Sequence, residues 1–137
     1  MRIALVTHYY PAHRGGIELV AGELARRLAA GHGASIGWHA SDCDPAPAIP
    51  GVACDPGRAW NGIERHAGVP YPIWSPGALH RVARSARAAD AVHLHDCLYL
   101  PNLVAYAAAR GVRKVINFCS QKPTGSRVKK EISAESR

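Results

Sequence analysis

The chain of 137 residues lacks any apolar run long enough to cross a membrane. Its longest such run, residues 103–109, falls well short of the about 20 residues that a spanning helix needs. Near the N-terminus only residues 3–6 are continuously apolar, which is too little for a signal peptide. We therefore expect a cytoplasmic protein, with at most weak peripheral contact with the inner face of a membrane through an arginine-bearing helix.

Closely spaced cysteine pairs are also missing. Zinc knuckles and thioredoxin-like redox motifs need pairs of the C-x-x-C type, so the sequence indicates neither. We expect free, mostly buried thiols in a reducing compartment. The four cysteines are Cys43, Cys54, Cys97 and Cys119.

The basic residues do not form a nucleic-acid patch. Of the formal net charge of +7, residues 120–137 contribute +3. Arg81, Arg84 and Arg87 have the spacing of one solvated helix face, and no aromatic residues are interleaved with them as a base-stacking surface requires. Nucleic acid is therefore not an expected partner.

Strand and helix patterns alternate along the chain. An apolar strand at residues 2–7 and a loop at 8–16 precede a helix from Ile17, with Gly31 placed to end it. Apolar residues at helical spacing predict that the buried stripe of this helix is Ile17, Val20, Leu24 and Leu28.

The remainder of the chain continues the alternation. We predict a weaker strand at 34–40, a short strand near 52–54, a helix at 76–89 capped by Ser75, a strand at 91–95, a helix at 101–110 and a strand at 115–119. Such alternation predicts an α/β fold with a parallel sheet and helices on both faces. We expect one domain, residues 1–119, followed by a polar, basic and disordered tail, residues 120–137.

Two glycines at the first strand-to-helix junction form a candidate anion site. The first amides of a helix are unpaired and carry partial positive charge, so Gly15 and Gly16 predict a phosphate-binding corner. The junction follows the carboxyl end of a strand, where open α/β sheets bind ligands. The G-x-G-x-x-G and P-loop motifs are absent, which argues against dinucleotide binding and against ATP or GTP hydrolysis. A tight turn that merely needs flexible residues is the alternative.

Two histidines suggest a competing kind of site. His93 and His95 lie two residues apart on a predicted strand and so point to the same face, as an H-x-H metal pair requires. A catalytic metal needs at least a third ligand, which Asp96 or a distant histidine could supply. The alternative, with no metal, places one histidine in the packed layer and the other at a cleft edge.

Two segments resemble the N-terminal domain of family 4 glycosyltransferases, retaining enzymes of the two-Rossmann-domain GT-B architecture. The first is Tyr10-Pro11-x-His13-x-Gly15-Gly16-Ile17-Glu18, and the second is the strand with its flanks, Ala89-Asp90-Ala91-Val92-His93-Leu94-His95-Asp96. The resemblance covers roughly residues 1–112, with both motifs in the family's order and spacing.

The resemblance implies transfer of a sugar from a nucleotide diphosphate sugar to a sugar or lipid-linked acceptor, with no metal or other cofactor. It assigns the donor phosphates to Gly15 and Gly16. The acceptor cleft would be bordered by His13, Glu18, His95 and Asp96. It leaves the catalytic residue unknown.

The sequence departs from the family after Lys114. A histidine that members carry after the next strand is missing, because Lys122 follows Ser120 and Gln121. The donor-binding C-terminal Rossmann domain is absent too. We therefore expect an incomplete GT-B half that is inactive alone, with a non-catalytic or vestigial binding fragment as the first alternative and a metal-dependent hydrolase using His93 and His95 as the second.

Overall fold

The computed structural model describes residues 1–95 and 98–110, apart from the side chain of His32, and the backbone of residues 115–118. Residues 120–137, predicted to be a disordered tail, lie outside the described part, as do Asp96, Cys97 and Cys119. The strands are β1 (Arg2–Val6), β2 (Ser35–Ser41), β3 (Val52–Gly57), β4 (Ala59–Trp60), β5 (Ile73–Trp74), β6 (Ala91–His95) and β7 (Val115–Phe118). The α-helices are α1 (Gly16–His32), α2 (Gly62–Ala67), α3 (Pro76–Ala88) and α4 (Leu100–Ala108).

Five of these strands form one parallel sheet in the order β3-β2-β1-β6-β7. Strand β1 lies at its centre because, after the exposed Arg2, it is apolar and buried on both faces. Ile3 and Leu5 pack on the side of α1, whereas Ala4 and Val6 pack on the side of α3 and α4. The predicted α/β, Rossmann-like fold is therefore confirmed.

The buried face of α1 differs from the prediction. Ala21 and Ala25 are fully buried, whereas Val20, assigned to the buried stripe, is 58% exposed. Small residues face the sheet because the large Trp38 ring fills the space between sheet and helix. The assignment of Val20 to the buried stripe was therefore wrong, whereas Leu28 packs against the core as predicted.

The end of α1 also differs from the prediction. The helix continues past Gly31 and is terminated by Gly33, which takes the left-handed conformation at φ 56°. Glycine is favoured there because it lacks the Cβ that makes this conformation costly.

The segment between β2 and α3 contains more secondary structure than the sequence indicated. Strand β3 is longer than the predicted 52–54 and runs through Pro56. Proline is compatible with this position because β3 is an edge strand of the sheet. The short helix α2 and the antiparallel pair of β4 and β5 were not predicted.

The predicted start of α3 is confirmed. The Ser75 Oγ accepts a hydrogen bond of 3.3 Å from the Ala78 amide, and Pro76 occupies the first turn, where no amide donor is needed. Val82 and Ala86 lie in the core as predicted. Within the described part of the chain, no helix is both long and apolar enough to span a membrane. Cys43 and Cys54 are free, and both are only half-buried.

Two glycines give opposite expected effects on stability. A Cβ on Gly57 would lie 2.7 Å from Trp74 Cε3 and 3.2 Å from Ala78 Cβ, so Gly57→Ala should destabilise by about 1–3 kcal/mol through overpacking. A Cβ on Gly31 meets no atom within 4 Å, so Gly31→Ala should stabilise α1 by about 0.5–1 kcal/mol. Urea unfolding of both variants measures the difference, and equal effects would contradict the packing at Gly57.

Candidate functional site

The sheet order reverses between β1 and β6. From β1 the chain moves outward to β2 and β3, then returns to add β6 on the other side of β1. In open α/β sheets the loops diverge at such a reversal and leave a crevice at the carboxyl ends of the two strands. The residues after Val6 and the end of β6 at His95 therefore lie at the same edge.

In the loop after β1, the left-handed backbone conformation is adopted by an arginine and not by either glycine. A single 3₁₀ turn, Pro11–His13, is followed by Arg14 at φ 62°, and this arginine is the left-handed residue of the loop. Gly15 is extended (φ −74°, ψ 152°) and caps α1, which begins at Gly16. The expectation that the glycine pair supplies unusual backbone angles was therefore wrong.

The amino end of α1 is covered by one of its own side chains. Glu18 is buried, and its carboxylate lies so close to Gly15 that a Cβ there would overlap it. Burial raises the pKa of Glu18, against an opposing hydrogen bond from its own backbone amide. The absence of a side chain at Gly15 makes room for this carboxylate, which occupies the position predicted for a phosphate.

Gly16 has different surroundings. It is exposed, and a Cβ added to it would meet no atom of the described residues within 4 Å. The first residue of α1 therefore faces open space, and a ligand could approach the helix here.

His13 belongs to a polar cluster that the sequence did not reveal. Its Nδ1 lies 2.9 Å from Asp44 Oδ2, and its Nε2 lies 3.2 Å from Glu64 Oε1. The ring stacks on Tyr9 with centroids 3.7 Å apart and planes 6° from parallel. The position of His13 thus depends on two acidic residues, Asp44 after β2 and Glu64 on α2.

Tyr9 completes this cluster. Its hydroxyl lies 2.8 Å from Glu64 Oε2 and 3.0 Å from Asn61 Oδ1, and the Asn61 amide donates to the same Glu64 oxygen at 2.6 Å. Burial acts to raise the pKa of Glu64, but the hydrogen bonds from Asn61, Tyr9 and His13 outweigh it and the pKa is lowered. Glu64 is therefore held as an anion beside the crevice.

His93 and His95 point to the same side of β6, as predicted, with ring centroids 4.5 Å apart. Both are buried, so neither stands exposed at a cleft edge. Burial, with a smaller effect of His93, lowers the pKa of His95 to about 4. Among the described residues no group of three or more metal-ligating side chains is assembled, and Asp96 lies outside them.

His8 lies between His13 of the loop after β1 and His95 of β6, close enough to both for their charges to affect it. Burial lowers its pKa to about 3, and the charges of His95 and His13 contribute to this shift. Its ring packs against Tyr99, which in turn stacks on Tyr71 with centroids 5.0 Å apart. The structure thus brings His13 and His95 to the same crevice, through a histidine that the sequence did not single out.

The predicted site residues therefore fall into two groups. Gly15, Gly16, His13 and Glu18 lie on the loop and the first turn of α1, and His95 lies across the reversal on β6. Comparison of the chain with protein-family models and with curated proteins gave no match to either.

Proposed function

We propose that this domain is the acceptor-side half of a retaining glycosyltransferase of the GT-B architecture, acting on a nucleotide diphosphate sugar. The observation that carries the proposal is the reversal of sheet order between β1 and β6. The reversal brings the loop after β1 and the carboxyl end of β6 to the same edge of the sheet, which supports the expectation that the glycine loop and His95 belong to one site. The half-buried polar cluster around His13 and Glu64 supplies groups that could hold sugar hydroxyls.

In this proposal the donor phosphates approach α1 at Gly16. The Glu18 carboxylate already occupies the neighbouring amide end, so a phosphate would compete with an internal anion. Burial makes the charged form of Glu18 costly, which favours its displacement or protonation when a second anion arrives. Glu18 would therefore tune phosphate affinity.

In this proposal the domain binds the substrates, and sugar transfer itself requires a larger assembly. Sugar transfer requires donor and acceptor to be held together in reactive geometry, and this domain supplies one wall of such a cleft. The co-substrate would be the nucleotide sugar, with a sugar or lipid-linked acceptor bordered by His13.

Ligand protection against thermal unfolding tests the phosphate site. A nucleoside diphosphate should raise the Tm of the wild-type chain, and Gly16→Val should abolish that rise because the valine side chain occupies the open approach to α1. Gly31→Val is the matched control, since it places the same side chain in open space near the other end of α1 and should keep the full rise.

A second variant tests whether the Glu18 carboxylate competes with the phosphate. Glu18→Gln removes the negative charge beside Gly15 and should increase the rise in Tm at a given nucleotide concentration. Unchanged protection in Gly16→Val would show that the glycine loop is only a turn, and the donor-phosphate assignment would fail.

A further inference from the structure

A pocket lies on the two-stranded ribbon formed by β4 and β5. Its volume is about 360 Å³, which is within the range of small-molecule sites. Neither the amino end of α1 nor the cluster around His13 contributes a residue to its lining, so it is separate from the site described above. The residues that line it are Arg58, Ala59, Trp60, Ile73, Trp74 and Ser75.

The outer face of the ribbon carries two large apolar side chains. Ala59 pairs with Trp74, and both contact the core, so the next pair, Trp60 and Ile73, lies on the opposite face. Trp60 is 59% exposed and Ile73 is 44% exposed. Exposed apolar side chains that lie together beside polar residues are typical of a binding site.

Arg58 and Ser75 form the polar end of the same face. The Ser75 amide donates to the Arg58 carbonyl at 2.9 Å, which extends the ladder by one pair beyond Ala59 and Trp74. Because side chains alternate along a strand, Arg58 lies on the face of Trp60, and Ser75 lies on the face of Ile73. The pocket therefore joins an apolar wall to a guanidinium and a hydroxyl.

The Trp60 ring is held in place although it is exposed. A Cβ on Gly62 would overlap the ring, so the indole lies directly against the backbone of Gly62 at the start of α2. A wall that is already fixed loses little conformational entropy when a ligand packs against it.

The polar groups of this pocket are hydrogen-bond donors. Arg58 is exposed, and its guanidinium forms no ion pair with any described residue. Ser75 Oγ already accepts from the Ala78 amide, so its hydroxyl has a proton left to donate. Among the described residues no carboxylate lines the pocket, and the neighbouring Asp42 accepts instead from the Ala59 amide at 2.9 Å. A complementary ligand therefore supplies acceptors and negative charge.

We propose that this pocket binds a small aromatic carboxylate, with its ring against Trp60 and Ile73 and its carboxylate at Arg58 and Ser75. A guanidinium can hold a carboxylate through two parallel N–H···O bonds, and a ligand ring can stack on an indole. A neutral sugar would place hydroxyls against the apolar pair, and a cation would be repelled by Arg58. The proposal does not depend on sugar transfer by this domain.

The test is an NMR titration of the full chain with 2-naphthoate, followed through the indole N–H signals of its three tryptophans. The Trp60 signal should shift saturably, whereas the signal of Trp38, which is buried on the side of α1, should not move. The neutral amide 2-naphthamide has the same shape but lacks the charge, so it should bind at least about fivefold more weakly. Equal binding of the two compounds, or a shift of Trp38 without Trp60, would overturn the proposal.

Calorimetric titration of two arginine variants tests the carboxylate contact. Arg58→Gln should weaken 2-naphthoate binding about fivefold. Arg84→Gln removes the same charge from an exposed position on α3 outside the pocket, so it should leave the affinity unchanged. Equal losses in both variants would show attraction to the net charge alone and would refute the contact with Arg58.

Two further variants locate the ring. Trp60→Ala removes an exposed side chain, so the fold is retained while the aromatic wall is lost, and binding should disappear. Gly16→Val alters the amino end of α1 and should leave the affinity unchanged. Retained binding in Trp60→Ala together with loss in Gly16→Val would place the ligand at α1 and exclude this pocket.

Discussion

Lowering the pH from 7 to 5 is expected to remove up to about 4 kcal/mol of folding stability. In the unfolded chain a histidine takes up a proton near its ordinary pKa of 6.5, whereas burial keeps His8 neutral to a pKa of about 3 and His95 to about 4. Their stabilising contribution is complete above pH 6.5 and is lost as the pH falls towards those lower values. At pH 5 each residue accounts for about 2 kcal/mol.

Urea unfolding at pH 7 and at pH 5 measures this loss. His8→Phe keeps a ring against Tyr99 without a titrating group, so its loss between the two pH values should be smaller than that of the wild type by about 2 kcal/mol. His66→Gln, an exposed substitution on α2, is the control and should leave the loss unchanged. An identical loss in His8→Phe and the wild type would contradict the assignment to His8.

Trp38→Ala is expected to destabilise the protein by about 3–5 kcal/mol. The Trp38 side chain is fully buried between the sheet and α1, edge-on to Tyr10 with ring centroids 5.4 Å apart. Its indole N–H donates to Thr7 Oγ1 at 2.9 Å, and the Thr7 hydroxyl donates in turn to the Tyr9 carbonyl at 2.8 Å. The substitution removes a large core ring and also a support of the loop that follows β1.

Equilibrium unfolding separates these two contributions. Trp38→Phe keeps most of the apolar volume but loses the N–H donor, so it should cost less than Trp38→Ala. Trp60→Ala is the control, because Trp60 is 59% exposed and its removal should cost less than about 1 kcal/mol. Similar losses at Trp38 and Trp60 would refute the packing described for α1.

The elements that the sequence predicted best carry strong local signals. Strand β6 has the predicted bounds because it is a short apolar run between polar ends. Helix α3 starts where Ser75 and Pro76 require it to start. The buried face of α1 was missed because alanine is nearly neutral in a hydrophobic pattern, and the bulk of Trp38 decides which face fits against the sheet.

The candidate site was only partly predictable. The shared orientation of His93 and His95 follows from the two-residue period of a strand. Asp44, after β2, and Glu64, on α2, reach His13 from positions far along the chain, and no local pattern signals such contacts. The carboxylate over Gly15 had a usable signal, since an acidic residue in the first turn can fold back towards the helix amides.

Pro56, near the end of β3, also affects whether strands of other chains can pair with this sheet. Strands at the margin of a sheet expose unpaired amides and carbonyls that can recruit a foreign strand and seed aggregation. At Pro56 that margin has no amide to offer, so an added strand would lose a ladder hydrogen bond there. Pro56 thereby protects this side of the sheet against edge-to-edge association and leaves the interior strands β1 and β6 unaffected.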